Sequence, residues 1–101
     1  MDDALPGAEL YDAVVDDATL SRWVGDLRAF ALVDRVMEKG GATRHAGVST
    51  DISASVVRLR AGEIRALQAW YRHEGSAWCD TVLAVPGGWR MVRSRLAPDL
   101  H

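Results

Sequence analysis

Residues 63–95 read EIRALQAWYRHEGSAWCDTVLAVPGGWRMVRSR, and this stretch decides the fold. Within it, residues 77–85 and 89–95 are rich in aromatic and β-branched side chains, which favour strands. The intervening Pro86-Gly87-Gly88 is typical of a tight turn. The two segments are therefore predicted to form a β-hairpin.

A second turn sequence, His73-Glu74-Gly75-Ser76, lies just before this hairpin. Taken alone, residues 63–72 are compatible with a helix or a strand. Because an isolated two-stranded hairpin is only marginally stable, we expect residues 63–72 to form the third strand of an antiparallel meander. The sequence thus predicts a C-terminal sheet over about residues 63–96.

The N-terminal part of the chain, about residues 6–61, carries the pattern of a helical layer. Apolar side chains recur at helical spacing between residues 6 and 15, which predicts a first short helix. A broader apolar stripe predicts a second, longer helix over about residues 19–38. The carboxylates of Asp16 and Asp17 precede that helix, where they can cap its first backbone amides.

Two segments of this layer are ambiguous. Residues 42–50 are polar and compatible with a short edge strand. Residues 50–61 are predicted to form a third helix capped by Thr50 or Asp51, although the alternation of apolar residues there also fits a strand. The chain is therefore predicted to be one α+β domain, residues 1–101, with two to three N-terminal helices packed on a three- to four-stranded antiparallel meander.

The predicted pairing assigns the side chains of the sheet to two faces. With Glu74-Gly75 as a two-residue loop, Tyr71 pairs with Trp78 and Ala69 with Asp80. Neither face is polar, whereas an antiparallel sheet with one solvated side shows clear alternation. Helices can fill only one side, so we expect the other to be covered by a protein partner, a second copy of the chain or a ligand. The predicted interface side chains are Tyr71, Trp78, Trp89 and Met91, whose composition is typical of interfaces.

Asp80 is the candidate polar site, because it falls in mid-strand on an otherwise apolar face. Its neighbour across the hairpin is Arg93 or Arg95, depending on the register. One interpretation is a buried ion pair that fixes the register. The alternative is a carboxylate at the base of a Trp/Tyr-lined pocket, where it acts as a general base or holds a ligand.

Other chemistry is disfavoured by the sequence. His45, His73, His101 and Cys79 lack the short, paired spacing of zinc ligands, so no metal is predicted. Cys79 is expected to be a small buried apolar side chain. With no catalytic triad and no nucleotide-binding loop, we predict no catalytic residues and no cofactor.

Composition sets the remaining expectations. A net charge of −2 argues against nucleic acid as a partner, and binding of anions or nucleic acid through the arginines of residues 58–95 is disfavoured because they divide between the two faces. The single cysteine, the acidic N-terminus and the lack of a long apolar run predict a cytoplasmic protein that does not cross a membrane.

The predicted function is that of a non-enzymatic interaction or accessory subunit, which either forms a homo-oligomer or docks on a larger protein. The alternative is a small-molecule binding protein or small enzyme with Asp80 at its pocket.

Overall fold

The computed structural model describes residues 10–40, 48–49 and 51–96 of the chain. The elements are β1 (Leu10–Val15), α1 (Asp17–Phe30), β2 (Leu32–Lys39), β3 (Val48–Ser49), α2 (Ile52–Arg60), β4 (Ala66–His73), β5 (Ser76–Val85) and β6 (Gly88–Arg95). All strands join one antiparallel sheet in the order β1-β6-β5-β4-β2-β3. The predicted α+β class is confirmed. The sheet is larger than predicted, and the described part begins with a strand instead of a helix.

The first hairpin of the C-terminal meander has the predicted register, and the second has one of its two possible registers, with Asp80 opposite Arg93. Between β4 and β5, Glu74 and Gly75 both adopt positive φ, 51° and 79°, which is the backbone of a two-residue hairpin loop. Tyr71 pairs with Trp78, and Ala69 pairs with Asp80. The turn at Glu74-Gly75 therefore determines which side chains of β4 and β5 lie on the same face of the sheet.

The first short helix predicted over residues 6–15 is wrong from residue 10 onward, and residues 6–9 lie outside the described residues. Residues 10–15 form β1 and pair with residues 89–94 of β6, with Tyr11 opposite Arg93 and Val15 opposite Trp89. Without β1, the backbone groups along that edge of β6 would have no partner strand. This pairing with a strand near the other end of the chain outweighs the local helical spacing.

The long helix predicted over residues 19–38 ends instead at Phe30, and its second half is β2. The reason for the error is a β-bulge between Val33 and Arg35. Val33 pairs with Tyr71 and Val36 with Ala69, so both valines lie on one side of the sheet although they are three residues apart. Their spacing of three resembles that of a helix.

Both helices begin at an aspartate cap. Asp16 Oδ1 accepts a hydrogen bond of 2.8 Å from Thr19 N, and Asp51 Oδ1 accepts one of 3.0 Å from Ala54 N. The ambiguous segment after residue 50 is therefore a helix. Within the other ambiguous segment, residues 48 and 49 form β3, and residues 42–47 and 50 lie outside the described residues.

The two helices cover the same side of the sheet. Leu20 and Leu27 of α1 and Val56 and Leu59 of α2 are at most 2% exposed. They pack in one cluster with alternate strand residues, namely Val36, Leu67, Ala69, Tyr71, Trp78, Val82 and Met91. We call this helix-covered side the inner face and the opposite side the open face.

Candidate functional site

The inner face holds one fully buried ion pair at its centre. Asp80 on β5 is 0% exposed, and Arg93 opposite it on β6 is 2% exposed. Arg93 Nε donates to Asp80 Oδ1 at 2.9 Å and Arg93 Nη2 donates to Oδ2 at 2.7 Å, which is a bidentate arrangement. Of the two arginines considered from the sequence, the structure pairs Arg93 with Asp80. Arg95 lies opposite Trp78, with its guanidinium 5.9 Å from the ring centre.

Two further side chains donate to the same carboxylate. Trp23 Nε1, from α1, lies 2.8 Å from Asp80 Oδ2, and the Tyr71 hydroxyl, from β4, lies 3.0 Å from it. Burial, together with the nearby Asp80 carboxylate, raises the pKa of Tyr71, so its hydroxyl stays protonated and donates. Asp80, Arg93, Trp23 and Tyr71 form what we call the Asp80 cluster. It joins α1 to three neighbouring strands.

Sequence reasoning found the ion pair of this cluster but not its link to the helix. Trp23 belongs to the apolar stripe that predicts its helix, and its burial agrees with that position. A buried indole N–H needs an acceptor, however, and a buried aspartate has unused acceptor positions. Together, these two requirements could have predicted the hydrogen bond from Trp23 to Asp80.

Two buried donors beside the cluster have no partner among the described residues. They are Nη1 of Arg93 and Nε1 of Trp78. Both side chains are on the inner face, on adjacent strands. Unsatisfied buried donors are uncommon in folded proteins, and each can bind an acceptor atom of a water or a ligand.

The Asp80 carboxylate is hydrogen-bonded and buried, which limits the reactions in which it could take part. Its two oxygens accept hydrogen bonds from three side chains, and the Arg93 guanidinium balances its charge. A general base has to reach the proton that it removes, and Asp80 has no exposed surface. The geometry is therefore that of a structural ion pair, and it gives no support to a catalytic role.

The four side chains predicted as an exposed interface lie on the inner face. Tyr71, Trp78 and Met91 are 1%, 7% and 4% exposed, and Trp89 is half-buried against the core. The expectation of an exposed aromatic surface at these positions is therefore corrected. The two described helices cover this face, and they leave the opposite face uncovered.

The open face is the second of the two apolar sheet faces that the sequence predicts, and no helix among the described residues covers it. Its half-buried apolar side chains are Met37, Trp70, Leu83, Val85 and Val92. Val14 and Leu32, near its margins, are 62% and 66% exposed. This surface combines a large aromatic ring with several aliphatic side chains.

Several polar side chains on the open face interact with other side chains of the same face. Gln68 Nε2 donates to Thr81 Oγ1 at 3.2 Å in the middle of the face. Beside them Cys79 is buried under larger neighbours, and burial raises the pKa of its thiol. The Arg35 guanidinium lies 4.1 Å from the centre of the Trp70 ring, a cation–π distance.

The charges of the open face are unevenly placed. On β1 and β6, Arg90 Nε and Nη2 donate to the two carboxylate oxygens of Asp12 at 2.9 and 2.7 Å. On β2, at the other side of the face, Arg35 and Lys39 form no ion pair among the described residues. The β1 side of the face therefore carries a carboxylate that is already paired with Arg90, and the β2 side carries two cations that have no ion pair among the described residues.

The described residues offer no other site. They contain no group of three or more histidine, cysteine, aspartate or glutamate side chains placed to hold a metal. His73 Nδ1 lies 3.1 Å from the Phe30 carbonyl oxygen, while His45 and His101 lie outside the described residues. Neither described helix is both long and apolar enough to cross a membrane.

Most arginines considered for anion binding are already paired. Arg58, Arg60, Arg72 and Arg90 each form a salt bridge with a carboxylate at the surface, and Arg93 forms the buried one. These pairs join elements of the fold and leave few free cations for a phosphate backbone.

Comparisons with protein families, with curated proteins and with solved structures give no match for this chain.

Proposed function

We propose that this chain is a non-enzymatic interaction subunit that binds a protein partner on the open face of its sheet. The observation that supports this most directly is that the helices of the described residues cover one face only. The other face carries Trp70, Met37 and Leu83 on adjacent strands. Antiparallel sheets that face water usually carry polar residues there.

Binding on this face would release free energy. An aromatic side chain buries roughly 150–250 Å², and apolar burial contributes about 25 cal/mol per Å². Because Trp70 and its aliphatic neighbours are already half-buried, only the exposed remainder of such areas can be gained, and together these remainders offer a few kcal/mol at most. The stacked Arg35–Trp70 pair adds the two residue types most enriched at the energetic centres of protein interfaces.

Affinity capture from the native host, compared between two matched variants, tests the proposal. Trp70→Glu puts a carboxylate in the middle of the open face, and Val57→Glu puts one on the exposed side of α2, where Val57 is 65% exposed. We expect wild type and Val57→Glu to retain the same partner, a second copy included, and Trp70→Glu to lose it. Equal capture by all three folded proteins would overturn the proposal.

The buried donors favour a second candidate function, the binding of a small ligand on the inner face. Arg93 Nη1 and Trp78 Nε1 would donate to a carbonyl or carboxylate oxygen. Thermal-shift screening of small carboxylates and amides tests it. A stabilising ligand whose effect disappears in Trp78→Phe, which removes only one donor, supports this function. A ligand effect unchanged in Trp78→Phe, or no effect from any compound, contradicts it.

A further inference from the structure

We propose that the partner on the open face is a second copy of this chain, packed face to face about a two-fold axis parallel to the strands and above β5. This inference rests on the proposed function. It is drawn from the order of the strands, the register of their pairs and the positions of the charges.

The register places the open-face charges at matching heights on the two sides of the sheet. One row of paired residues crosses from β1 to β2 and consists of Asp12, Val92, Thr81, Gln68 and Met37. Asp12 is thus at one end of the row and Met37 at the other. Arg35 and Lys39 lie one row to either side of Met37 on the same face, because alternate residues of a strand share a face.

A two-fold axis parallel to the strands exchanges these two ends. With the axis above β5, the central strand of the five from β1 to β2, β1 of one copy lies over β2 of the other. Asp12 then lies opposite Met37 of the second copy, between Arg35 and Lys39 of that copy. Each dimer would contain two such sites, at which an Asp12 carboxylate that already pairs with Arg90 of its own chain gains two further cations from the second copy, and this favours the pairing.

The other aligned two-fold packing is disfavoured by the same charges. An axis across the strands, through the row of Asp12, would place each strand over its own copy. Asp12 would then meet Asp12, and Arg35 would meet Lys39. Facing like charges in an interface costs free energy, so the charge positions select the axis parallel to the strands.

The size of the open face also suits a dimer. Five strands about 4.8 Å apart, with about eight residues at about 3.3 Å each, give a flat footprint of roughly 600 Å². Side chains make the accessible area larger than this footprint. It therefore approaches the ~800 Å² per partner of a standard stable interface, and stacked sheets pack in this aligned way in β-sandwiches.

The first test is sedimentation equilibrium over a dilution series of the full chain. We expect wild type and Val57→Glu to be dimers at high concentration and Trp70→Glu to remain a monomer. A dimer that persists in Trp70→Glu overturns this inference, because such a dimer does not use the open face, and the capture comparison then decides the proposed function separately. A wild type that stays monomeric, but still captures a different protein through Trp70, overturns only the dimer.

Crosslinking tests the position of the axis. In a Cys79→Ser background, Leu83→Cys places the only thiol on β5, beside the proposed axis, and Val14→Cys places it at the edge on β1. A short bis-maleimide should join two copies of the Leu83→Cys protein and should not join two copies of the Val14→Cys protein. The reverse pattern, or no crosslink in either folded protein, overturns the proposed packing.

Charge reversal tests the contact between Asp12 and the cations on β2. Asp12→Lys should raise the dissociation constant of the dimer by about tenfold or more. Adding Arg35→Glu and Lys39→Glu should restore the affinity, because opposite charges then face each other again. No restoration in the triple variant would overturn the assigned contact.

Discussion

Replacing Asp80 by alanine should be the most destabilising single change on the sheet. The change leaves the Arg93 charge, 2% exposed, without the one carboxylate that forms a salt bridge with it among the described residues. Breaking a buried pair in this way costs about 3–5 kcal/mol. The Trp23 and Tyr71 donors also lose their acceptor, and each unsatisfied buried donor costs about 1–3 kcal/mol, although such losses are not additive. We therefore expect a loss of at least about 4 kcal/mol, a large part of the ~5–15 kcal/mol that stabilises a typical domain.

Urea unfolding followed by far-ultraviolet circular dichroism at pH 7 measures this loss. The double variant Asp80→Leu/Arg93→Met removes both charges together, so it should be more stable than Asp80→Ala alone. Asp12→Ala is a matched control. It breaks a pair with the same bidentate geometry, but the side chains of Asp12 and Arg90 are 47% and 51% exposed, so the loss should be far smaller.

Two results would refute this account of the Asp80 cluster. One is a loss of less than about 1 kcal/mol for Asp80→Ala, the size expected of an exposed pair. The other is a double variant that is no more stable than Asp80→Ala. The second comparison remains informative if Asp80→Ala does not fold, because the double variant is then expected to fold.

Further predictions concern the link between β2 and α2 and two glycines. Hydrogen bonds from Arg58 lower the pKa of Glu38 from its ordinary value of 4.5, against the opposing effect of burial. Glu38→Gln should therefore cost about 1 kcal/mol at pH 7, and its difference from wild type in urea unfolding should vanish as the pH falls below 4.5 through the lowered pKa. Gly88→Ala should destabilise the fold by about 1–3 kcal/mol, because the added Cβ would lie 2.7 Å from the Val15 carbonyl oxygen. Gly25→Ala in α1 should instead stabilise the fold by about 0.5–1 kcal/mol in the same assay, because the added Cβ meets open space and alanine favours a helix over glycine.

The register of the sheet was predictable from the sequence because short turns determine it. A two-residue loop at Glu74-Gly75 leaves one pairing of β4 with β5, and the turn at residues 86–88 puts Asp80 on the same face as Arg93 and Arg95 in either of its two possible registers. The need for a partner at a buried carboxylate then leads to the ion pair. Local signals were sufficient for this part of the site.

The rest required information that local patterns do not contain. The bulge after Val33 lets Val33 and Val36 share a face, so β2 has the periodicity of a helix. The strand β1 pairs with β6, some 80 positions away in the sequence, and no local signal specifies that contact. The positions of β1 and β2 determine which face of the sheet the helices cover. The sequence therefore predicted two apolar faces, but it did not predict correctly which of them the helices leave uncovered.

Methionine oxidation gives the most direct test of the central claim, which is that a partner covers the open face. Met37 lies half-buried on the open face and Met91 is 4% exposed on the inner face, so the two report on opposite sides of the sheet. Brief treatment with peroxide at several protein concentrations, followed by peptide mass spectrometry, gives the oxidation rate of each. We predict that Met91 oxidises slowly throughout and that Met37 oxidises quickly in dilute protein and slowly in concentrated protein. A Met37 rate that does not change with concentration, and that addition of a captured partner also leaves unchanged, would contradict the account.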